Sequence, residues 1–203
     1  MDEANASMLV KLEGQSYFYV AQDSGRMADK MESNCIAPTN LELKVNAQVM
    51  LLKNQSGGST GLVNGSIGVV IEMTTQPATN VRTGQDGKAL PSLNTPGEIL
   101  PKVRFKHETG GYTDMVLGRE EWTVEAPADR RILDPNVPEA ERFGVEVLGR
   151  RVQIPLCLAW ALSIHKSQGQ TLPKVKVDLG RVFEKGRPLM ALCVRGRVPG
   201  SER

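Results

Sequence analysis

Trp160-Ala-Leu-Ser-Ile-His-Lys-Ser-Gln-Gly-Gln-Thr-Leu172 carries the strongest instruction in the chain. From Ser163 to Gln168 it presents two hydroxyls, an imidazole, an ammonium and an amide, and Gly169 closes the row. Phosphate oxygens accept hydrogen bonds from lysine, serine and backbone N–H alike, so a donor row of this kind suits a phosphate backbone. An apolar run, Ile154 to Leu162, leads in, and a valine-rich run, Lys174 to Leu179, leads out. Periodicity does not arbitrate between strand and helix for the first run. The expected order is a buried strand, a short helix from about Ser163 to Gly169, and a second strand through Val175, Val177 and Leu179. Strand, helix, strand is a βαβ unit and implies a parallel α/β sheet. Ligands of such sheets bind at the carboxyl ends of the strands, where Ser163 to Gly169 would lie.

The N-terminal residues read as part of something larger. Asn5 to Gly14 places Met8, Leu9 and Leu12 on one helical face, with Gly14 as a stop. Gln15 to Ala21 reads as a strand, rich in aromatic and β-branched residues, and Asp23 to Cys35 as a loop or short helix. One helix and one strand cannot build a core, so they must dock on later residues. Leu41 to Asn54 is a strand in which Leu41, Leu43, Val45, Ala47 and Val49 alternate with polar residues. The glycine-rich connection Gln55 to Gly61 follows. A hairpin is then expected over Leu62 to Ile71, with Asn64-Gly65 as its two-residue turn. Gly68 marks a bulge or a close backbone approach.

Residues 72–101 are polar, without period, and read as a long loop or an insertion at a barrel tip. Lys102 to Lys106 and Glu121 to Glu125 are short strands with Val103, Phe105, Trp122 and Val124 inward. His107 is a solvated turn histidine. Gly144 to Pro155 is a further strand through Val145, Val147, Val152 and Ile154. Short strands separated by turns indicate a small antiparallel β-barrel.

Bulk properties agree with a folded protein. The 203 residues are 40% apolar and 24% charged, with net charge +2, a composition typical of soluble globular chains. No apolar run approaches the ~18 residues of a membrane span, and the acidic Met1 to Asn5 is no secretory signal. Cys35, Cys157 and Cys193 lack C-x-x-C pairing, which argues for a reducing compartment and against a zinc site; Cys157 reads as a core residue. The phosphate-binding pattern G-x-x-x-x-G-K-[ST] is absent.

Ala159 to Leu172 resembles the late helicase motif of the Pif family, the superfamily-one DNA helicases. Two further stretches share the resemblance: Leu43 to Asn54 with Gly61 to Val70, similar to the family at the entrance to a small inserted barrel, and Asn5 to Asp23. The resemblance implies an α/β fold, a partial RecA-like motor domain interrupted by an SH3-like β-barrel. It divides the chain at 1–50 (second motor domain), 51–153 (barrel), 154–186 (motor domain) and 187–203. By the same resemblance Ser163, His165, Lys166 and Ser167 contact single-stranded DNA, and Gln168, Gly169 and Gln170 lie towards the nucleotide. It implies a C-terminal part of a 5′-to-3′ ATP-dependent helicase of DNA replication, repair, recombination or telomere maintenance, nuclear or mitochondrial in a eukaryote, cytoplasmic otherwise. ATP and Mg would serve the complete helicase, whose N-terminal motor domain is missing here.

The likeness stops after Gly186. The family continues with an arginine-bearing motif, whereas this chain reads Arg187 to Arg197 with Cys193 and Val194 at the family's serine and arginine positions. Residues 187–203 are therefore expected to be an unstructured tail after an altered reading frame or splice junction. The chain alone is not expected to hydrolyse ATP, so no residue is assigned a catalytic role and none a metal. Two other readings stand beside the helicase: a non-catalytic nucleic-acid-binding module, and an inactive truncated product.

Overall fold

The computed structural model describes residues 2–55, 62–80, 90–107, 110–129 and 143–162. Among them lie two short α-helices, α1 (Asp2–Val10) and α2 (Met31–Asn34), a 3-10 helical turn at Ala28–Lys30, and ten strands. The strands are β1 (Tyr17–Val20), β2 (Gln22–Ser24), β3 (Asn40–Leu43), β4 (Gln48–Leu51) and β5 (Ile67–Thr74). They continue as β6 (Leu100–Lys106), β7 (Tyr112–Val116), β8 (Glu120–Asp129), β9 (Phe143–Gln153) and β10 (Leu156–Leu158). They form a five-stranded sheet in the order β10-β4-β5-β6-β7, a three-stranded sheet β2-β9-β8 and the pair β1-β3. Every pairing among these strands is antiparallel. Of the expected βαβ unit only the first strand falls within the described residues, where Leu156–Leu158 forms β10, antiparallel to β4; its helix and second strand lie outside them.

The alternation in Leu41 to Leu52 is real, but the stretch is two strands. Asn46 takes φ 70°, a left-handed conformation that asparagine tolerates better than most residues. Its N–H donates to the Val70 carbonyl (2.7 Å), and the Val70 N–H donates to the Ala47 carbonyl (3.0 Å). The chain turns there, so β3 pairs with β1 while β4 goes between β10 and β5. Val45 falls at the break and is exposed, not inward as its place in the alternation suggested. In β4 both faces are buried: Val49 and Leu51 join the main core, and Met50 and Leu52 a second cluster with Ala37, Cys157 and Ala159. Cys157 is thus the core residue expected.

Val70, Val103, Phe105, Leu117, Ile154 and Leu156 fill the main core, each side chain contributing about 1.5–3 kcal/mol when fully buried. Val103 and Phe105 are inward as read from the sequence; Trp122 and Val124 are only half-buried. Val152 and Ile154 are buried, whereas Val145 and Val147 are exposed. The reason is length: β2 covers β9 only from Arg150 to Val152, and β8 and β9 run on beyond it as a two-stranded ribbon.

Two strands, β2 and β7, were not legible in sequence. Gln22-Asp-Ser24 has no apolar alternation, and Tyr112 to Val116 mixes exposed and buried residues without a clean period. Helix α1 begins before Asn5 and ends at Val10, and Gly14 follows it with φ 103°. At Asn64-Gly65 only Gly65 has positive φ (96°), and the Ser66 N–H donates to the Val63 carbonyl. This is the geometry of a type II turn, not the primed turn of a two-residue hairpin. The strands it serves are β4 and β5, with Leu62 and Val63 outside both.

Gly68 is the close approach anticipated. It sits opposite Phe105 on β5, and a Cβ there would fall 2.7 Å from Val103 Cγ1, 2.8 Å from Phe105 Cδ1 and 2.9 Å from the Arg104 carbonyl oxygen. Gly68→Ala should cost about 1–3 kcal/mol through overpacking. Urea denaturation of the variant beside the parent checks it; an unchanged midpoint would mean that β5 and β6 separate freely at this point.

Candidate nucleic-acid interface

The seven residues expected to touch nucleic acid or nucleotide, Ser163, His165, Lys166, Ser167, Gln168, Gly169 and Gln170, lie outside the described residues. What is described is the segment that delivers them, Gln153 to Leu162, and the groups that hold it. Strand β10 lies at one edge of the five-stranded sheet against β4. The ladder continues one step further, since the Ala159 N–H donates to the Gln48 carbonyl (2.9 Å). The Gln48 side chain then returns a bond from Nε2 to the Ala159 carbonyl (2.9 Å).

Two residues on, Asn5 of α1 takes over. Its Nδ2 donates to the Ala161 carbonyl, and its Oδ1 accepts from the Ala161 N–H, both at 2.9 Å. One amide side chain thereby satisfies both backbone groups of Ala161, two positions before Ser163. Asn5 is buried, so neither bond competes freely with water. Trp160 packs half-buried against the main core, as its apolar surroundings suggested, and Leu162 against the second cluster.

The start of this segment is held by two buried polar side chains of β9. Gln153 is fully buried; its Nε2 donates to the carbonyls of Tyr19 and Pro38 (3.0 Å each), with a longer bond to Thr39 (3.3 Å). Its Oε1 accepts from the Ile154 N–H (2.9 Å). Arg151, 1% exposed, donates twice to the Asp23 carboxylate at 2.7 Å, and also to the Ala37 carbonyl (2.7 Å) and Thr39 Oγ1 (3.0 Å). Hydrogen bonding to Asp23 raises the Arg151 pKa against the burial that lowers it. The cation is therefore permanent.

A third polar clasp ties β1 to the loop before β6. Arg119 pairs with Glu98 (2.8 Å) and donates to the Val20 carbonyl (3.0 Å). The Tyr19 hydroxyl donates to the Ile99 carbonyl (2.8 Å). Burial first, then the charge of Glu98 and Tyr17, pushes the Tyr19 phenol well above its ordinary range, so it stays a donor.

Lys53 and His107 both have partners within the fold. Lys53, beside the glycine-rich connection, donates to the Glu121 carbonyl (2.6 Å), pairs with Glu120 (3.3 Å) and lies 5.6 Å from the Trp122 ring centroid. It is a structural lysine rather than part of a phosphate cradle. His107 stands at a turn as expected, but it is half-buried rather than solvated, with Nε2 2.6 Å from Thr113 Oγ1. No group of three potential metal ligands occurs among the described residues. No helix among them is long and apolar enough to cross a membrane.

Sequence reasoning missed Asn5, Gln48, Arg151 and Gln153. Each is polar, a residue type that is mostly exposed. Gln48 and Gln153 left a trace, since each is an amide set between two apolar residues, Ala47 and Val49 for the one and Val152 and Ile154 for the other.

Comparison with known proteins adds the following. The family profile described as "DNA helicase Pif1, 2B domain" matches residues 27–73, from the turn before α2 into β5. The ATP-dependent DNA helicase PIF1 of Emericella nidulans is 37% identical over 95% of this chain and 27% of its own length. The crystal structure of Pif1 helicase from Candida albicans superposes with a TM-score of 0.66 at 34% identity, over 94% of this chain and 39% of that one. Bacteroides Pif1 bound to single-stranded DNA shares the fold, with a TM-score of 0.57 at 24% identity over 97% of this chain and 36% of that one. The chain spans about a quarter of the length of the curated relatives it matches.

Asn5→Ala would leave the N–H and carbonyl of Ala161 without their partners, at a cost of about 1–3 kcal/mol. The expected result is a lower denaturation midpoint together with faster amide exchange at Ala161. Exchange at Ala161 as slow as in the parent would show that α1 does not hold this segment.

Proposed function

The chain belongs to the Pif family of DNA helicases, and from that premise we propose that it supplies the strand-gripping part of an ATP-dependent DNA helicase. The observation that carries the proposal is the double anchoring of Ala159 and Ala161. It delivers Ser163-Ile-His-Lys-Ser-Gln-Gly169 from a fixed point on the sheet edge. A segment whose leading residues are already anchored has less conformational entropy to lose on binding.

In this reading Ser163 and Ser167 donate neutral hydrogen bonds to the phosphates of a single strand, and Lys166 supplies a point charge. His165 donates to phosphate or stacks on a base. Contacts of this kind are independent of sequence, as a motor that moves along DNA requires. Gln168, Gly169 and Gln170 sit on the nucleotide side, so a change there is passed to the strand through a few residues of backbone. The Bacteroides relative bound to single-stranded DNA supports the choice of ligand.

ATP and Mg belong to the complete helicase in this reading. The lysine that cradles its phosphates and the carboxylate that holds its metal would come from a first motor domain outside this sequence. The second motor domain would include residues 1–50 and 154–186, the inserted barrel 51–153, and 187–203 would be a divergent tail. Movement 5′ to 3′, a role in replication, repair, recombination or telomere maintenance, and a nuclear or mitochondrial site follow from the same reading.

Fluorescence anisotropy of the chain on labelled oligo-dT tests it, beside His165→Ala/Lys166→Ala. The double variant should bind about tenfold more weakly and flatten the log–log salt dependence by roughly 0.7 for each phosphate that is no longer neutralised. Equal affinity and equal salt dependence would remove the motif from the interface.

A further inference from the structure

The outward face of the five-stranded sheet is built differently from its core face. On β6, Val103 and Phe105 point into the core, and Lys102, Arg104 and Lys106 point out. Alternate residues of a strand are about 7 Å apart, so the three cations form an even row. In register beside it stand Val69, 40% exposed, opposite Arg104, and Tyr112, 66% exposed, opposite Lys106. Most of the Tyr112 surface is therefore open to solvent.

This face is continuous with the place where the motif departs. Ala159, Gln48, Val69, Arg104 and Asp114 lie in one cross-strand row over β10, β4, β5, β6 and β7. At the β10 end the row is covered: Ala159 belongs to the second cluster, on which Leu162 packs. At the β6 end it is open. Three strand spacings, about 14 Å, separate β10 from β6.

We infer that the open half of this face, Lys102, Arg104, Lys106 and Tyr112, is a second contact surface for single-stranded DNA. The inference rests on the strand-gripping role proposed above and adds an element that the motif does not include. Sheet faces with an exposed aromatic and nearby cations are a recurrent platform for single strands, because every base has a face to stack on. Charge complementarity sets the occupant. Arg104 donates to both Asp114 oxygens at 2.7 Å, and Lys102 lies 3.6 Å from Glu72. Both pairs are open to solvent, where such pairs contribute little, so a phosphate can replace either carboxylate. Lys106 has no acidic partner among the described residues.

The test is anisotropy of the full chain on labelled oligo-dT with three new variants and His165→Ala/Lys166→Ala, each confirmed folded by its thermal transition. Lys106→Ala/Tyr112→Ala should weaken binding about tenfold, since one phosphate and one stacked base lose their partners. Asp114→Asn, which frees Arg104, should tighten it about threefold. Glu146→Gln, which opens the exposed Arg26–Glu146 pair on β9 and adds the same charge elsewhere, should leave it unchanged. Equal tightening by Asp114→Asn and Glu146→Gln would overturn the inference, since only net charge would then matter. If the face variants bind like the parent while His165→Ala/Lys166→Ala does not bind, the second surface is refuted and the motif's role stands. If the face variants lose affinity and the motif variant keeps it, the second surface stands and the motif's role fails. No binding by the folded parent refutes both.

Discussion

Two side chains on one strand, Arg151 and Gln153, set the terms for the whole assembly. Both are buried, and a buried guanidinium or amide without partners costs several kcal/mol. Apart from the adjacent Ile154 N–H, their partners are Asp23, Ala37, Thr39, Tyr19 and Pro38, all more than a hundred residues earlier in the chain. The fold can bury β9 only if the segment from Tyr19 to Thr39 is laid against it in one register. An apolar contact would tolerate a shift, whereas this set of bonds does not. The pair thus specifies position rather than merely adding stability.

From that constraint the route to the donor row follows. Once residues 19–39 are fixed on β9, β1 draws β3 beside it, and the left-handed turn at Asn46 sends the chain into β4. Strand β4 has a buried face on each side, so it receives β10 at one edge and β5 at the other. Helix α1, at the other end of the same N-terminal segment, clamps Ala161. The described residues therefore form a frame whose two sequence ends meet at the point where Ser163 begins.

Much of this was legible in sequence, for physical reasons that can be named. Aromatic and β-branched content located β1, and period-two alternation located β6, which has one covered and one open face; alternation located β9 as well, although Val145 and Val147 proved exposed. The need for residues 1–40 to dock elsewhere followed from their lack of a core. Gly68 was legible because glycine inside a strand pattern implies close backbone approach. The break at Asn46 was not, since Leu41 to Leu52 stays apolar on alternate residues through the turn. Strands β2 and β7 escaped because their burial is conferred by neighbours distant in sequence. The donor row itself was found by its chemistry and by its likeness to a family, whereas the residues that mount it, Asn5, Gln48, Arg151 and Gln153, are scattered polar residues known only from their contacts.

The central claim is that the N-terminal segment and the segment leading to Ser163 are one mechanical unit, fastened through Arg151. Native-state hydrogen exchange of the chain and of Asp23→Ala measures this most directly. Removing Asp23 leaves Arg151 buried without its carboxylate, a loss of about 3–5 kcal/mol for a pair of this kind. The account predicts that amides of β1, β3, Ala159 and Ala161 lose protection together, while those of β5 and β6 keep more of theirs. Loss confined to β2 and its neighbours on β9, with Ala159 and Ala161 as protected as before, would contradict it.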